Sequence, residues 1–238
     1  MKISKFDKKQ LDYFDNWAEN RLQKEERDNF SGLFEFETIL SFLNLPRGSN
    51  VLEIGCGAGR FTLKFLARGF NVFGLDISLS SLKKLNQSYG LAKSESWGKL
   101  QVGDKFPKGQ NFDAVVCINI LHHLENIGEM IKKSKDSLKK NGVIFIFEPN
   151  FLCFPWYFLF LFENVLPIEM GILKSNIWNL NKILRKLDFK NIKIKPYGFF
   201  PTRLLYWSPF LLKLLTVQIP KIPIVGLFAF HNMLRAEK

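Results

Sequence analysis

The clearest chemical signal in the chain is the run VLEIGCGAGRFT, Val51 to Thr62. An apolar stretch, Val51–Ile54, leads straight into Gly55, Gly57 and Gly59. Glycines at alternate positions let a backbone turn tightly and approach a ligand closely, and a helix starting behind such a turn presents unpaired N–H groups. A nucleotide-like ligand is expected there. Glu53, two residues before the first glycine, would repel a phosphate. A cationic ligand reverses that sign, and the sulfonium and ammonium groups of S-adenosylmethionine supply the charge. The GxGxG spacing also departs from the GxGxxG of pyrophosphate binders. Asp76 ends a second apolar run, NVFGLDIS, where a carboxylate can accept from both hydroxyls of a ribose, and Ile77 beside it can cover an adenine face. Asp104, in VGDKFP, can accept from an adenine amino group or equally cap its own loop. His122 and His123 follow a fourth run. One of them can take a proton from an acceptor hydroxyl or amine, since imidazole titrates near neutral pH. Displacement at a sulfonium has a good leaving group, so positioning and desolvation alone can also suffice.

These residues need a scaffold, and the pattern around them supplies one. Short apolar runs at Val51–Ile54, Val72–Leu75, Ala114–Ile118 and Val143–Phe147 alternate with helical stretches, which reads as buried parallel strands in an α/β sheet. A helix is expected from Asn126, with Glu129 three residues on as its cap partner, to the sequence Lys139-Lys140-Asn141-Gly142. Further on, the pattern predicts a helix near Asn176–Leu187, a strand at Ile192–Pro196, a helix near Leu204–Thr216 and a closing strand around Leu227–Leu234. Before the first strand, about residues 6 to 44 read as amphipathic helix: Leu11, Phe14 and Trp17, with Tyr13 beside them, then Leu33, Phe36, Ile39, Leu40 and Leu43.

The set Glu53 to Gly59, the strand-end Asp76, the pair Gly103-Asp104 and FDAVVCINILHHL at Phe112 to Leu124 resembles the class I S-adenosylmethionine-dependent methyltransferases. Within them it is similar to the broad group that includes the ubiquinone and menaquinone biosynthesis enzymes. The resemblance implies a doubly wound, Rossmann-like α/β fold whose mostly parallel seven-stranded sheet has the order 3-2-1-4-5-7-6, with strand 7 antiparallel. It implies S-adenosyl-L-methionine as cofactor in the crevice at the carboxyl ends of strands 1, 2 and 4. Carried over residue by residue, Gly55 and Gly57 lie against the methionine part, with Cys56 and Gly59 completing the turn. Asp76 holds the ribose, Asp104 meets the adenine, and Asn119 with Ile120 lines the methionine side. The short stretch KFPKGQN after Asp104 departs from relatives with a longer acidic loop. The chain then divides into a helical segment, 1 to 45, packed on a methyltransferase domain, 46 to 238, with an apolar substrate-side insertion at about 151 to 175.

Composition limits the acceptor and the setting. Three cysteines without CxxC spacing suggest neither a zinc site nor a disulfide framework, and a cytoplasmic location is the simplest. Cys117 falls inside a strand, where core filling suits it better than a nucleophile's role, and Cys56 suits its turn by being small. No NPPY-like turn follows the fourth strand, which weighs against base-amino methylation. The net charge of +12 concentrates in residues 151 to 238, where 12 basic residues face 4 acidic ones. The same region holds FLCFPWYFLFLF, Phe151 to Phe162: 12 residues without a charge, 7 of them aromatic. That is too short to span a bilayer, which needs about 20 residues. It fits either a buried core helix or an interfacial one, since aromatic and basic side chains suit an anionic lipid surface. The expected acceptor is a small molecule or lipid, with peripheral contact to an anionic membrane. Methylation of RNA or protein is the alternative, although no added RNA-binding module is visible. An NAD-dependent oxidoreductase is disfavoured by Glu53 and the glycine spacing, and a non-catalytic module by the intact glycines and Asp76.

Overall fold

The computed structural model describes residues 30 to 162, 166 to 198 and 208 to 238. Seven strands form one sheet: β1 (Asn50–Ile54), β2 (Asn71–Leu75), β3 (Leu100–Gly103), β4 (Phe112–Ile118), β5 (Leu138–Pro149), β6 (Lys190–Tyr197) and β7 (His231–Glu237). Their order is β3-β2-β1-β4-β5-β7-β6. Pairing is parallel from β3 to β5, and β7 runs antiparallel to both β5 and β6. The order reverses at β1, so a crevice opens between β1 and β4 at their carboxyl ends, the usual ligand position in such sheets.

Strand alternation sends successive side chains to opposite faces. One face packs Val51, Val116, Phe145 and Phe147 against Phe36, Ile39 and Leu43 of α1 (Phe30–Leu43) and against Phe65 and Leu66 of α2 (Thr62–Ala67). The other packs Leu52, Val115, Ile144 and Ile146 against Ile127 and Ile131 of α4 (Ile127–Ser137) and Leu180 and Leu184 of α7 (Ile177–Lys186). Between them in sequence lies α3 (Leu79–Ala92), which Ser78 caps by accepting from Ser81 N. Among the helical positions expected near the start, Phe36, Ile39 and Leu43 are core, while Leu11, Tyr13, Phe14 and Trp17 lie outside the described residues.

Three expected boundaries move. The cap at Asn126 holds, its Oδ1 accepting from Glu129 N, but the helix stops at Ser137 rather than running to Gly142. Leu138 already pairs with Phe112. The exposed Lys139-Lys140-Asn141 then bulges before pairing resumes at Val143, and Asn141 takes a left-handed φ of 65°. The closing strand starts at His231, not Leu227. Asn150 Nδ2 donates to Leu227 O and Ala229 O, which holds those residues in a turn. The helix expected over Leu204–Thr216 appears, within the described residues, as α8 (Pro209–Lys213) followed by a π-helical turn, Leu214–Gln218.

The segment after β5 is short helices: α5 (Phe154–Phe162), α6 (Leu166–Glu169) and a 3-10 turn, Met170–Leu173. A last short helix, α9 (Pro223–Gly226), precedes β7. Trp156 Nε1 donates to Phe230 O and Phe160 is buried, so one face of α5 is core. Phe154, Phe158 and Phe162, spaced four apart, are 68%, 73% and 91% exposed. The apolar run therefore has a buried face and a bare one. Among the described residues, no helix is long and apolar enough to cross a membrane.

Candidate cofactor crevice and histidine pair

The glycine turn after β1 uses its three glycines differently. All have left-handed φ: 72° at Gly55, 51° at Gly57 and 97° at Gly59. A Cβ on Gly55 would lie 2.4 Å from Ile120 Cγ1, and one on Gly59 2.5 Å from Leu85 Cδ1, so both are packed shut. A Cβ on Gly57 would meet nothing within 4 Å, because this residue faces the open crevice. Cys56 turns inward to cluster with Leu82 and Leu85, and burial pushes its thiol pKa up, leaving only its backbone near the crevice.

The glycine-turn donors from Gly55 to Gly57 are already taken. Gly55 N and Cys56 N donate to Leu75 O, and Gly57 N donates to Asp76 Oδ2 at 2.7 Å. Asp76 Oδ1 accepts from Ser78 N at 2.9 Å. Instead of an anion cradle, the crevice floor carries acceptors. Glu53 lies beneath the turn, 3% exposed, with Thr62 Oγ1 donating to its Oε2 at 2.6 Å. Burial, chiefly, raises its pKa from an ordinary 4.5 to about 8, with Asp76 adding to the rise and the Thr62 hydrogen bond opposing it. Across the crevice at the end of β4, Asn119 adopts φ 51° and donates its N–H to Phe147 O. Its side-chain Oδ1 is buried with no hydrogen-bond partner among the described residues. Ile77 is exposed beside Asp76. Asp104 is exposed in the loop after β3, where Asp76 N donates to the carbonyl of its neighbour Gly103.

The loop after β4 is organised by Glu148, at the end of β5. Its Oε1 accepts from Ile120 N and Leu121 N, both at 2.8 Å, and its Oε2 lies 2.5 Å from His122 Nδ1. The other ring nitrogen of His122 is 3.2 Å from Glu169 Oε2. Burial works against charge on His122, but Glu148 and Glu169 outweigh it and push the pKa up to about 9. His123 lies beside it, with ring centroids 3.8 Å apart and planes tilted by 47°, and bonds the backbone of Ile168. Burial and the neighbouring His122 hold it well below the usual histidine range. Both are buried, at 3% and 7% exposed. A doubly paired imidazolium has no lone pair to accept a proton, so the geometry gives His122 a positioning place rather than an open basic one. Sequence reasoning passed over Glu148 and Glu169. The signal for Glu148 was present: a charged residue ending the otherwise apolar run VIFIFEP, as Asp76 ends its own strand. Glu169 had none, because its place depends on how the segment after α5 folds back.

Comparisons with known proteins agree with this architecture. A family model described as a methyltransferase domain matches residues 25–193. A ubiquinone biosynthesis O-methyltransferase of Rickettsia canadensis is 26% identical over 155 residues, covering 60% of this chain and 64% of that protein. The chain thus spans a little under two thirds of that relative. A tRNA U34 carboxymethyltransferase of Alteromonas mediterranea is 27% identical over 121 residues, 48% of this chain and 36% of that protein. Among solved structures, the magnesium protoporphyrin IX methyltransferase of Synechocystis with bound S-adenosylmethionine superposes with a TM-score of 0.61 at 17% identity, over 99% of this chain and 98% of that one. The chain belongs to the methyltransferase-domain family and has the class I, S-adenosylmethionine-dependent methyltransferase fold.

Proposed function

We propose that this protein moves the methyl group of S-adenosylmethionine to a small, apolar acceptor presented at an anionic membrane surface. The observation that carries the cofactor half is the row of side-chain acceptors along the crevice floor. Glu53, Asp76 and the unpartnered Asn119 Oδ1 stand at the ends of three adjacent strands, while the N–H groups of Gly55, Cys56 and Gly57 are already bonded. Asp76 repels phosphate, and a ligand carrying ammonium and sulfonium charge is favoured by Asp76 and by Glu53 once it gives up its proton. In this reading Asp76 accepts from the ribose hydroxyls, Ile77 covers the adenine and Asp104 lies near its amino group. Gly55, Gly57, Asn119 and Ile120 line the methionine part. Transfer is an in-line displacement: the sulfur–methyl bond breaks as the acceptor–methyl bond forms, the cofactor leaves as a neutral thioether, and the acceptor's proton passes to solvent. The chain's contribution is alignment and exclusion of water.

The acceptor half rests on the bare stripe of α5 and on the 12 basic against 4 acidic residues of the last third. The similar ubiquinone biosynthesis O-methyltransferase is named for a small-molecule pathway, in keeping with a small acceptor. Titration calorimetry tests the cofactor: S-adenosylmethionine is expected to bind, and binding of NAD without it would overturn the reading. Incubation with methyl-labelled cofactor and fractionated extract tests the acceptor. Label is expected in the lipid-soluble fraction, and label confined to RNA or protein would overturn it.

A further inference from the structure

The end of α6 brings Glu169 to the histidine pair and creates a compact donor set. We propose that His122, His123 and Glu169 bind one divalent transition-metal ion, with zinc as the best fit. His122 Nε2 and Glu169 Oε2 are 3.2 Å apart. Ligands at about 2.0–2.2 Å around a tetrahedral ion stand about 3.3–3.5 Å from each other, so this pair already has the span of one edge. One ring nitrogen of His123 completes a trio whose donor atoms all lie within 4.8 Å of one another. Closing the widest gap takes a relative movement of about 1.4 Å, within reach of a side-chain rotation.

The surroundings orient these donors as a metal site needs. Metal-binding imidazoles commonly give their second nitrogen to a carboxylate or a backbone carbonyl, which fixes tautomer and ring direction. Here Glu148 Oε2 holds His122 Nδ1, and the backbone of Ile168 holds the His123 ring. The placement points the same way: two carboxylates, Glu148 and Glu169, face the one His122 ring in a buried space. A divalent ion held by both imidazoles and Glu169 would bring positive charge to balance the two carboxylates. Two imidazoles and one carboxylate suit zinc and leave a fourth position for water. The approach is close: a Cβ on Gly171 would fall 1.7 Å from His122 O, so the Glu169 turn lies flush on the histidine loop. A bound ion would bolt the segment after β5 to the end of β4.

The test uses the untagged full chain, stripped with chelator and titrated with Co2+, whose tetrahedral complexes absorb visibly, followed by Zn2+ competition. One equivalent of Co2+ is expected, displaced by Zn2+, and the thermal midpoint is expected to rise with Zn2+. Glu169→Gln and His123→Ala should each weaken binding at least tenfold, whereas Glu125→Gln, an exposed carboxylate on the same loop, should bind as the wild type does. Glu169→Gln keeps the side-chain shape, so it decides the matter if His123→Ala fails to fold. No stoichiometric ion on the folded wild type, or wild-type affinity in folded Glu169→Gln, overturns the proposal.

Discussion

At the scale of single residues, the crevice reads its ligand through protonation. With its pKa raised to about 8, Glu53 holds a proton at neutral pH in the ligand-free chain, and an approaching cation favours its loss. S-adenosylmethionine binding at pH 7 is therefore expected to release up to one proton. Calorimetry in two buffers of different ionisation enthalpy measures it. Affinity should rise with pH up to about 8, and Glu53→Gln should remove both effects. Equal apparent enthalpies in the two buffers would refute the assignment. The same shift bears on stability. The folded value lies above the ordinary 4.5, so what Glu53 contributes is fully present below about pH 4.5 and is lost as pH climbs through about 8. Denaturant unfolding at pH 5, 7 and 9 should show that loss in the wild type and a flatter profile in Glu53→Gln. Asp76 acts differently, because it ties down the glycine turn as well as being the proposed ribose acceptor. Hydrogen bonds to a charged acceptor are worth about 1.5–3 kcal/mol, so Asp76→Ala should weaken cofactor binding by roughly ten to a hundredfold. An unchanged dissociation constant in the folded variant would remove Asp76 from the site.

At the scale of elements, the 3-10 turn Met170–Leu173 sits closely on the loop after β4. Overpacking a tight contact costs about 1–3 kcal/mol, and Gly171→Ala drives a methyl into the His122 carbonyl, so it should destabilise the chain by that order. Urea unfolding measures it, and a neutral result would show that the turn yields freely. Such contacts explain what the sequence revealed and what it hid. The strand runs, the Gly-rich turn, the Asn126 cap and the helix starting near Asn176 were legible because each is set by residues within a few positions. The ends of α4 and β7 were not. Lys139 to Gly142 has the composition of a helix terminus, yet pairing of Leu138 with Phe112 starts the strand first. Leu227 to Phe230 has strand composition, yet Asn150, distant in sequence, bonds its carbonyls into a turn. The charge partners of His122 were hidden for the same reason, since Glu148 and Glu169 reach it only through tertiary folding.

At the scale of the whole molecule, α5 joins two environments. Phe154, Phe158 and Phe162 form one exposed stripe, while Trp156 and Phe160 anchor the opposite face. A variant with Phe158→Ser and Phe162→Ser is expected to stay folded but to lose flotation with anionic liposomes at low salt. Trp156→Ser should lower the thermal midpoint. Flotation that is absent in the wild type, or unaffected by the double change, would sink the membrane reading. The position of β7 has a consequence in time. It fills the slot between β5 and β6, pairing with β5 from Val143↔Glu237 to Pro149↔His231 and with β6 from Lys190↔Glu237 to Tyr197↔His231. During synthesis β6 therefore emerges before its neighbour exists, and the apolar flank of β5 has nothing to pair with. Until His231 to Glu237 are made, the nascent chain carries an open edge of the kind that recruits chaperones or seeds aggregation. Ribosome-stalled chains ending at Gly226 should bind a holdase that chains stalled well past Lys238 no longer engage.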